Sequence, residues 1–228
     1  MKKTLLFSAL LLSAFLPFAG AQTTEQRQSS LTPEKVLKTL LAGNERFMDG
    51  QVHGHQDITA RRVATAQGQY PKAVILSCLD SRIPVEQVFD LGIGDIFVGR
   101  VAGNVQDNDQ LGSMEFATKL AGAKLVMVLG HTGCGAVRGA CADAKLGHLT
   151  GLLQKIRPAV RAVKAETPGQ KASTDPEFVD KVAAENVRLT VDSIRKQSPI
   201  LAELERSGQI KIVGGMYDLE TGKVSLVK

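Results

Sequence analysis

A cysteine, an aspartate and an arginine stand at alternate positions in the stretch SCLDSR, as Cys78, Asp80 and Arg82. They directly follow the apolar run AVIL at 73–76. A thiol, a carboxylate and a guanidinium grouped at the rim of a core point to chemistry rather than to folding. A second stretch, GHTGCG, places His131 three residues before Cys134, again after an apolar run, AKLVMVLG at 123–130. Cys78, His131 and Cys134 together offer sulfur, nitrogen and sulfur, a set suited to zinc. Asp80 is then either a fourth ligand or a neighbour. The plainer alternative is that both cysteines are ordinary buried thiols and His131 a hydrogen-bonded core histidine. A closed structural zinc site is a third reading, although such sites commonly draw on C-x-x-C knuckles.

The remaining cysteine is Cys141. An odd total of three argues against a disulfide framework. If Cys134 and Cys141 share a helix, seven residues of rise separate them by ~10.5 Å, beyond the ~7 Å Cα limit for a bridge. Cys141 is therefore read as a small apolar packing residue.

The loops need a scaffold, and the composition supplies one. The chain has 228 residues, 43% of them apolar and 22% charged, which suits one globular domain. Residues 1–21 are set apart: Lys2 and Lys3, an apolar run from Leu5 to Phe18 and the Ala19-Gly20-Ala21 pattern make up a secretory signal peptide. That run falls short of the ~20 residues that span a bilayer. Cleavage after Ala21 removes two lysines and no acid, so the formal charge of +5 becomes +3. The mature chain is expected to be soluble and exported, periplasmic in a Gram-negative source and otherwise secreted, without membrane attachment. Its mild charge, with no run of Lys or Arg, does not suggest a nucleic-acid partner.

Residues 22–31 are polar and read as a flexible segment, and 32–228 as a single catalytic domain. Thr32-Pro33-Glu34 predicts a helix start, and Gly50 its end. The stretch 57–71 is short, polar and ends in turn residues. Strands are expected at 72–77, 95–102, 123–130, 209–218 and 223–228, with a helical turn at 84–92 and helices at 108–122 and 134–147. Residues 149–208 read as helical, with a break at ETPGQKASTDP. The fold class is α/β. A central, mostly parallel sheet of about four strands carries an antiparallel strand at its edge and is flanked by helices. In such a sheet the loops after parallel strands meet at one edge, which would bring Cys78 and His131–Cys134 together.

C-x-D-S-R, then GDIFVGRVAGN, then LGHTGCGAV resembles the β-class carbonic anhydrases. The likeness extends to LLAGNERF near the start and GGMYDLETGKV near the end. The resemblance implies reversible hydration of carbon dioxide to bicarbonate and a proton, by attack of zinc-bound hydroxide on carbon dioxide. It implies one Zn²⁺ per subunit on Cys78, His131 and Cys134, an Asp80–Arg82 dyad, and Asp80 as fourth ligand in a closed state. Gln69 matches a glutamine beside the metal, and Phe97, Ala102, Gly103 and Phe116 match a small apolar pocket. In the family that pocket lies at a dimer interface, which implies a homodimer or higher homo-oligomer. The chain has no Trp, so a Trp-dependent bicarbonate regulatory site is not expected.

Two thiolates cancel the charge of zinc, so its bound water should ionise less readily than the pKa of ~7 of a three-histidine site. Paired with Arg82, Asp80 would stay ionised and accept a hydrogen bond from that water or hydroxide. His53, His55 and His148 are candidates for a proton shuttle, with solvated loop histidines as the favoured reading. Within the same fold, a hydrolase of carbon disulfide or carbonyl sulfide is the competing enzyme. A zinc-binding or thiol-redox module without turnover is the competing non-enzyme.

Overall fold

The protein is described by a computed structural model over residues 24–54, 57–167 and 175–227. Residues 1–21, read as a leader, and His55 lie outside the described residues.

The first described element corrects the sequence reading. Residues Glu25–Ser29 form a short helix, α1, capped by the Thr24 side chain, not a loose arm. Gln28 ties it down: its amide donates to the carbonyls of Pro71 (2.7 Å) and Ala121 (2.8 Å), at the entries to two strands. Helix α2 (Pro33–Met48) starts as its sequence predicts, with Thr32 accepting from the Lys35 N–H and Pro33 in the first turn. Residues Ile58–Thr65 form a further helix, α3, within the stretch read only as short and polar.

From here strands and helices alternate. Strand β1 is Ala73–Ser77, α4 Val85–Val88, β2 Ile96–Arg100, α5 Asn108–Glu115 and β3 Leu125–His131. Between α5 and β3 the chain makes a wider, π-type turn at Phe116–Leu120, so the helix expected at 108–122 is two pieces of different pitch. Helix α6 covers Gly135–Cys141 and α7 Gly147–Glu166. The single helix expected at 134–147 thus ends early. Asp143 takes a left-handed conformation (φ 55°), which an α-helix does not accommodate. Helices α8 (Pro176–Gln197) and α9 (Pro199–Arg206) lead to β4 (Lys211–Tyr217) and β5 (Val224–Val227).

The sheet order is β2-β1-β3-β4-β5, with parallel pairing throughout except for the antiparallel β4–β5 edge pair. This is the expected α/β architecture. The two central strands, β1 and β3, are buried along their whole length, as strands covered on both faces should be. Strand β2, paired on one side only, is half-exposed. On one face Ile75, Met127 and Leu129 pack with α2, α4, α6, α7 and the start of α8. On the other Val74, Leu76, Val126 and Val128 pack with α5, α9 and the rest of α8.

Close contact between α8 and the sheet depends on a missing side chain. A Cβ on Gly130 would lie 2.5 Å from Val187 Cγ2 and 2.9 Å from Met216 Sδ. Gly130 immediately precedes His131, so the helix is seated directly behind the residue that the strand delivers to its carboxyl end.

Candidate metal centre

Both reactive loops open at the carboxyl ends of adjacent strands. Strand β1 ends at Ser77 and delivers Cys78, and β3 ends at His131. Cys134 occupies the N-cap of α6. The ligating atoms of Cys78, His131 and Cys134 lie within 4.8 Å of one another, and all three residues are buried. The two sulfurs are 3.9 Å apart.

The histidine is arranged for a cation. His131 Nδ1 lies 2.9 Å from the carbonyl oxygen of Thr132, so that nitrogen carries the proton and donates. The other nitrogen, Nε2, is buried and has no hydrogen-bond partner among the described residues. A buried bare nitrogen facing two sulfurs is costly unless a cation joins them. The donor set and its spacing therefore fit zinc.

Backbone groups pin the candidate ligands. The Gly103 N–H donates to Cys78 Sγ at 3.3 Å. Gly103 adopts φ +71°, open to glycine and strained for other residues, within the short turn Ala102–Asn104. Its carbonyl accepts from Asn186 Nδ2 of α8 at 2.8 Å, deep in the core. The loop carrying Cys134 is held from the far side. Asp180 accepts from the Gly133 N–H (2.7 Å), and Thr132 is bonded to Tyr217 and Leu219 at the end of β4.

The two thiols interact strongly. The hydrogen bond with Cys134, aided by His131 and the N–H groups of Asp80 and Gly103, outweighs burial and brings Cys78 down to about 4. The same bond, with burial and the Cys78 charge, pushes Cys134 up, against the N–H groups of Val137 and Ala136. Two thiolates this close repel, so the pair alone keeps one proton between the two sulfurs. A divalent cation between them lets both ionise.

Asp80 reaches the edge of this group, with Oδ2 3.9 Å from His131 Nε2. Its carboxylate is gripped by Arg82 through Nε to Oδ1 (2.9 Å) and Nη2 to Oδ2 (2.7 Å), and by the Arg82 N–H (3.0 Å). The Arg82 guanidinium outweighs partial burial and holds the Asp80 carboxyl well below the usual carboxylate range. Asp80 therefore presents an ionised acceptor toward the three ligands.

Of the residues matched to an apolar pocket, Phe97 and Phe116 meet edge to face, with centroids 6.1 Å apart. They line an open groove beside β2 together with Gly99 and Met114, and Phe116 is half exposed. Ala102 and Gly103 form the turn behind Cys78. Gln69 is exposed in the loop before β1, and no side-chain bond among the described residues ties it to the ligand group. His148 is exposed in the first turn of α7, and His53 is an exposed loop residue whose N–H donates to Asp90. Cys141 is buried at the end of α6, and burial pushes its thiol up, as suits a packing residue. The sequence reading missed Asn186, Asp180 and Arg100. Arg100 had left one signal, a charged residue ending an otherwise apolar strand.

The chain is similar to known proteins in sequence and in fold. The carbonic anhydrase family model matches residues 73–224. The carbonic anhydrase of Mycolicibacterium smegmatis is 36% identical over 200 residues, covering 85% of this chain and 93% of that protein. Carbonic anhydrase 2 of Mycobacterium tuberculosis is 35% identical over 199 residues, covering 85% and 92%. Among solved structures, a β-carbonic anhydrase of Aspergillus fumigatus superposes with a TM-score of 0.68 at 27% identity, over 84% of this chain and 90% of that one. One of two tetrameric β-carbonic anhydrases from Sordaria macrospora gives 0.67 at 26% identity, over 84% and 96%. The chain belongs to the carbonic anhydrase family, and its fold is that of the β class.

Proposed function

We propose that this protein hydrates carbon dioxide reversibly to bicarbonate and a proton, using Zn²⁺ held by Cys78, His131 and Cys134. The observation that carries the reading is the buried Nε2 of His131, without a hydrogen-bond partner among the described residues, facing two sulfurs 3.9 Å apart. Zinc held there supplies a Lewis acid that makes a coordinated water more acidic. The two thiolates neutralise much of the ion's charge, so activity should rise toward alkaline pH.

Asp80 is the orienting residue. Ionised and gripped by Arg82, it accepts a hydrogen bond from the attacking water and turns a lone pair toward the substrate carbon. Released from Arg82, the Asp80 carboxylate would be free to serve as a fourth ligand beside Cys78, His131 and Cys134, which would close the site. Phe97, Ala102, Gly103 and Phe116 offer carbon dioxide an apolar surface, with Gln69 as polar donor. The half-exposed Phe116 and the singly paired β2 support a homodimer that completes this pocket. The tetrameric assemblies of the Sordaria proteins support a homo-oligomer in general. In the same reading residues 1–21 are removed on export, to the periplasm in a Gram-negative source, and 32–228 act as one catalytic domain.

The test is stopped-flow hydration of carbon dioxide across pH, before and after chelation and after zinc is returned. Activity should climb with pH, vanish on chelation and return with zinc. A protein holding one zinc per chain with no hydration at pH 8.5 would leave only a zinc-binding module.

A further inference from the structure

Arg100 closes β2 and lies in register with Ser77, the last residue of β1. Its guanidinium reaches across to the loop beyond that strand. Nε donates to the carbonyl of Cys78 at 3.0 Å, and Nη2 donates to the carbonyl of Asp80. Neither bond goes to a carboxylate. The planar fork of a guanidinium can hold two acceptors at a fixed spacing, which a point-like ammonium cannot. Here those acceptors belong to the two residues that deliver the metal ligand and the orienting acid.

Asp80 is therefore held at both ends, its carbonyl by Arg100 and its carboxylate by Arg82. The loop is also tied to β2 through the backbone, where the Val101 N–H donates to the Ser77 carbonyl at 3.1 Å. Leu79, between the two bonded carbonyls, is left largely exposed. The loop's path at this point is set by its carbonyls rather than by side-chain burial.

We propose that Arg100 is a positioning residue: by joining the end of β2 to the carbonyls of Cys78 and Asp80, it fixes where the Asp80 carboxylate stands relative to the three ligands. This rests on the reading of Asp80 given above. Arg100 acts through the backbone and touches no ligand atom, so its loss should spare metal binding and impair orientation. The fork should matter more than the charge.

The experiment compares the zinc-loaded wild type with Arg100→Gln and Arg100→Lys for zinc content, kcat and KM of carbon dioxide hydration. Amide hydrogen exchange of residues 78–83 is followed in the same three proteins after metal removal. Both variants should retain one zinc per chain and lose at least tenfold in kcat, with KM within twofold. Exchange across 78–83 should quicken at least tenfold in both. Full activity in Arg100→Lys, loop exchange unchanged from wild type, or a kcat loss that only tracks lost zinc would each overturn the proposal. If Arg100→Gln fails to fold, Arg100→Lys decides alone. A wild type without hydration activity would sink the proposed function, whereas the exchange comparison would still decide the positioning role.

Discussion

Replacing Gly103 by alanine perturbs the turn behind Cys78 in two separable ways. The backbone at this residue has φ +71°, where a non-glycine residue costs about 1–2 kcal/mol. The added Cβ would also sit 2.6 Å from Cδ1 of Ile156, a side chain with no solvent exposure and therefore little room to retreat. Overpacking of that kind costs about 1–3 kcal/mol. The two together predict a loss of about 2–5 kcal/mol, a large share of the ~5–15 kcal/mol that stabilises a typical protein. At about 2–4 °C per kcal/mol for a chain of this size, Tm should fall by about 4–20 °C.

A second substitution separates the causes. Ile156→Val deletes the Cδ1 atom that the new methyl meets, and alone it should cost about 0.5–1.5 kcal/mol. Gly103→Ala with Ile156→Val should then be more stable than the sum of the two single losses by about 1–2 kcal/mol, while the backbone part of the loss remains. Urea unfolding of the four proteins at one protein concentration measures the cycle. Strictly additive losses would show that the Ile156 contact is not the source. A Gly103→Ala loss below about 1 kcal/mol would refute both parts of the reasoning.

Asp80→Asn removes the ionised acceptor while leaving all three ligands in place, so zinc content should be unchanged and kcat should drop at least a hundredfold in stopped-flow hydration. Near-normal turnover would remove Asp80 from the proposed mechanism. Cys134→Ser takes away a sulfur ligand, and equilibrium competition with a chelator should show zinc affinity weakened by at least a hundredfold. Asp90 gives a pH dependence. Burial opposes its ionisation, but Arg46 (2.5 Å) and the N–H groups of Gly54 and His53 outweigh it, leaving its pKa below the ordinary carboxylate value. A depressed folded pKa contributes stability above the unfolded value of ~3.9, and that contribution is lost as pH falls through the folded value. Asp90→Asn should therefore cost about 1–2 kcal/mol at pH 7, and the gap to wild type in urea titrations should shrink below about pH 4. A gap that stays constant down to pH 3 would show that the charge of Asp90 contributes nothing.

The sheet was legible because its central strands are buried on both faces and so appear as unbroken apolar runs, as in AVILS and LVMVLGH. The three candidate ligands could be picked out for a different reason: cysteine and histidine ending two such runs are rare and chemically distinctive. The elements that escaped are set by single contacts that leave no periodic trace. Helix α1 is anchored by one glutamine inserted between two carbonyls, and a polar residue in a polar stretch gives no sign of burial. Helix α3 turns an arginine, Arg61, inward, where its guanidinium pairs with the buried Asp95 at 3.0 Å, so the inner face of the helix is read as polar. The division between α6 and α7 follows from the left-handed Asp143, a conformation that residue type suggests but does not dictate.

The same division runs through the site. Cys78, Asp80, Arg82, His131 and Cys134 announce themselves by chemistry, whereas the residues that aim them act on backbone groups. Arg100 bonds two carbonyls, Asn186 bonds the carbonyl of Gly103, and Asp180 bonds the N–H of Gly133. An arginine, an asparagine and an aspartate satisfying peptide groups look, in sequence, like any solvated polar residues. Yet these four bonds reach the ligand group from β2 and from two different turns of α8. Displacing any one of them leaves the ligands chemically intact and moves an atom that must lie within tenths of an ångström of its place. The aspartate and the asparagine both belong to α8, six residues apart, and the same helix is pressed onto β3 by the absence of a side chain at Gly130. Helix α8 is therefore a structural member of the site, although it contributes no ligand. A Gly130→Ala substitution, which forces that helix outward against Val187, should loosen metal binding as well as stability.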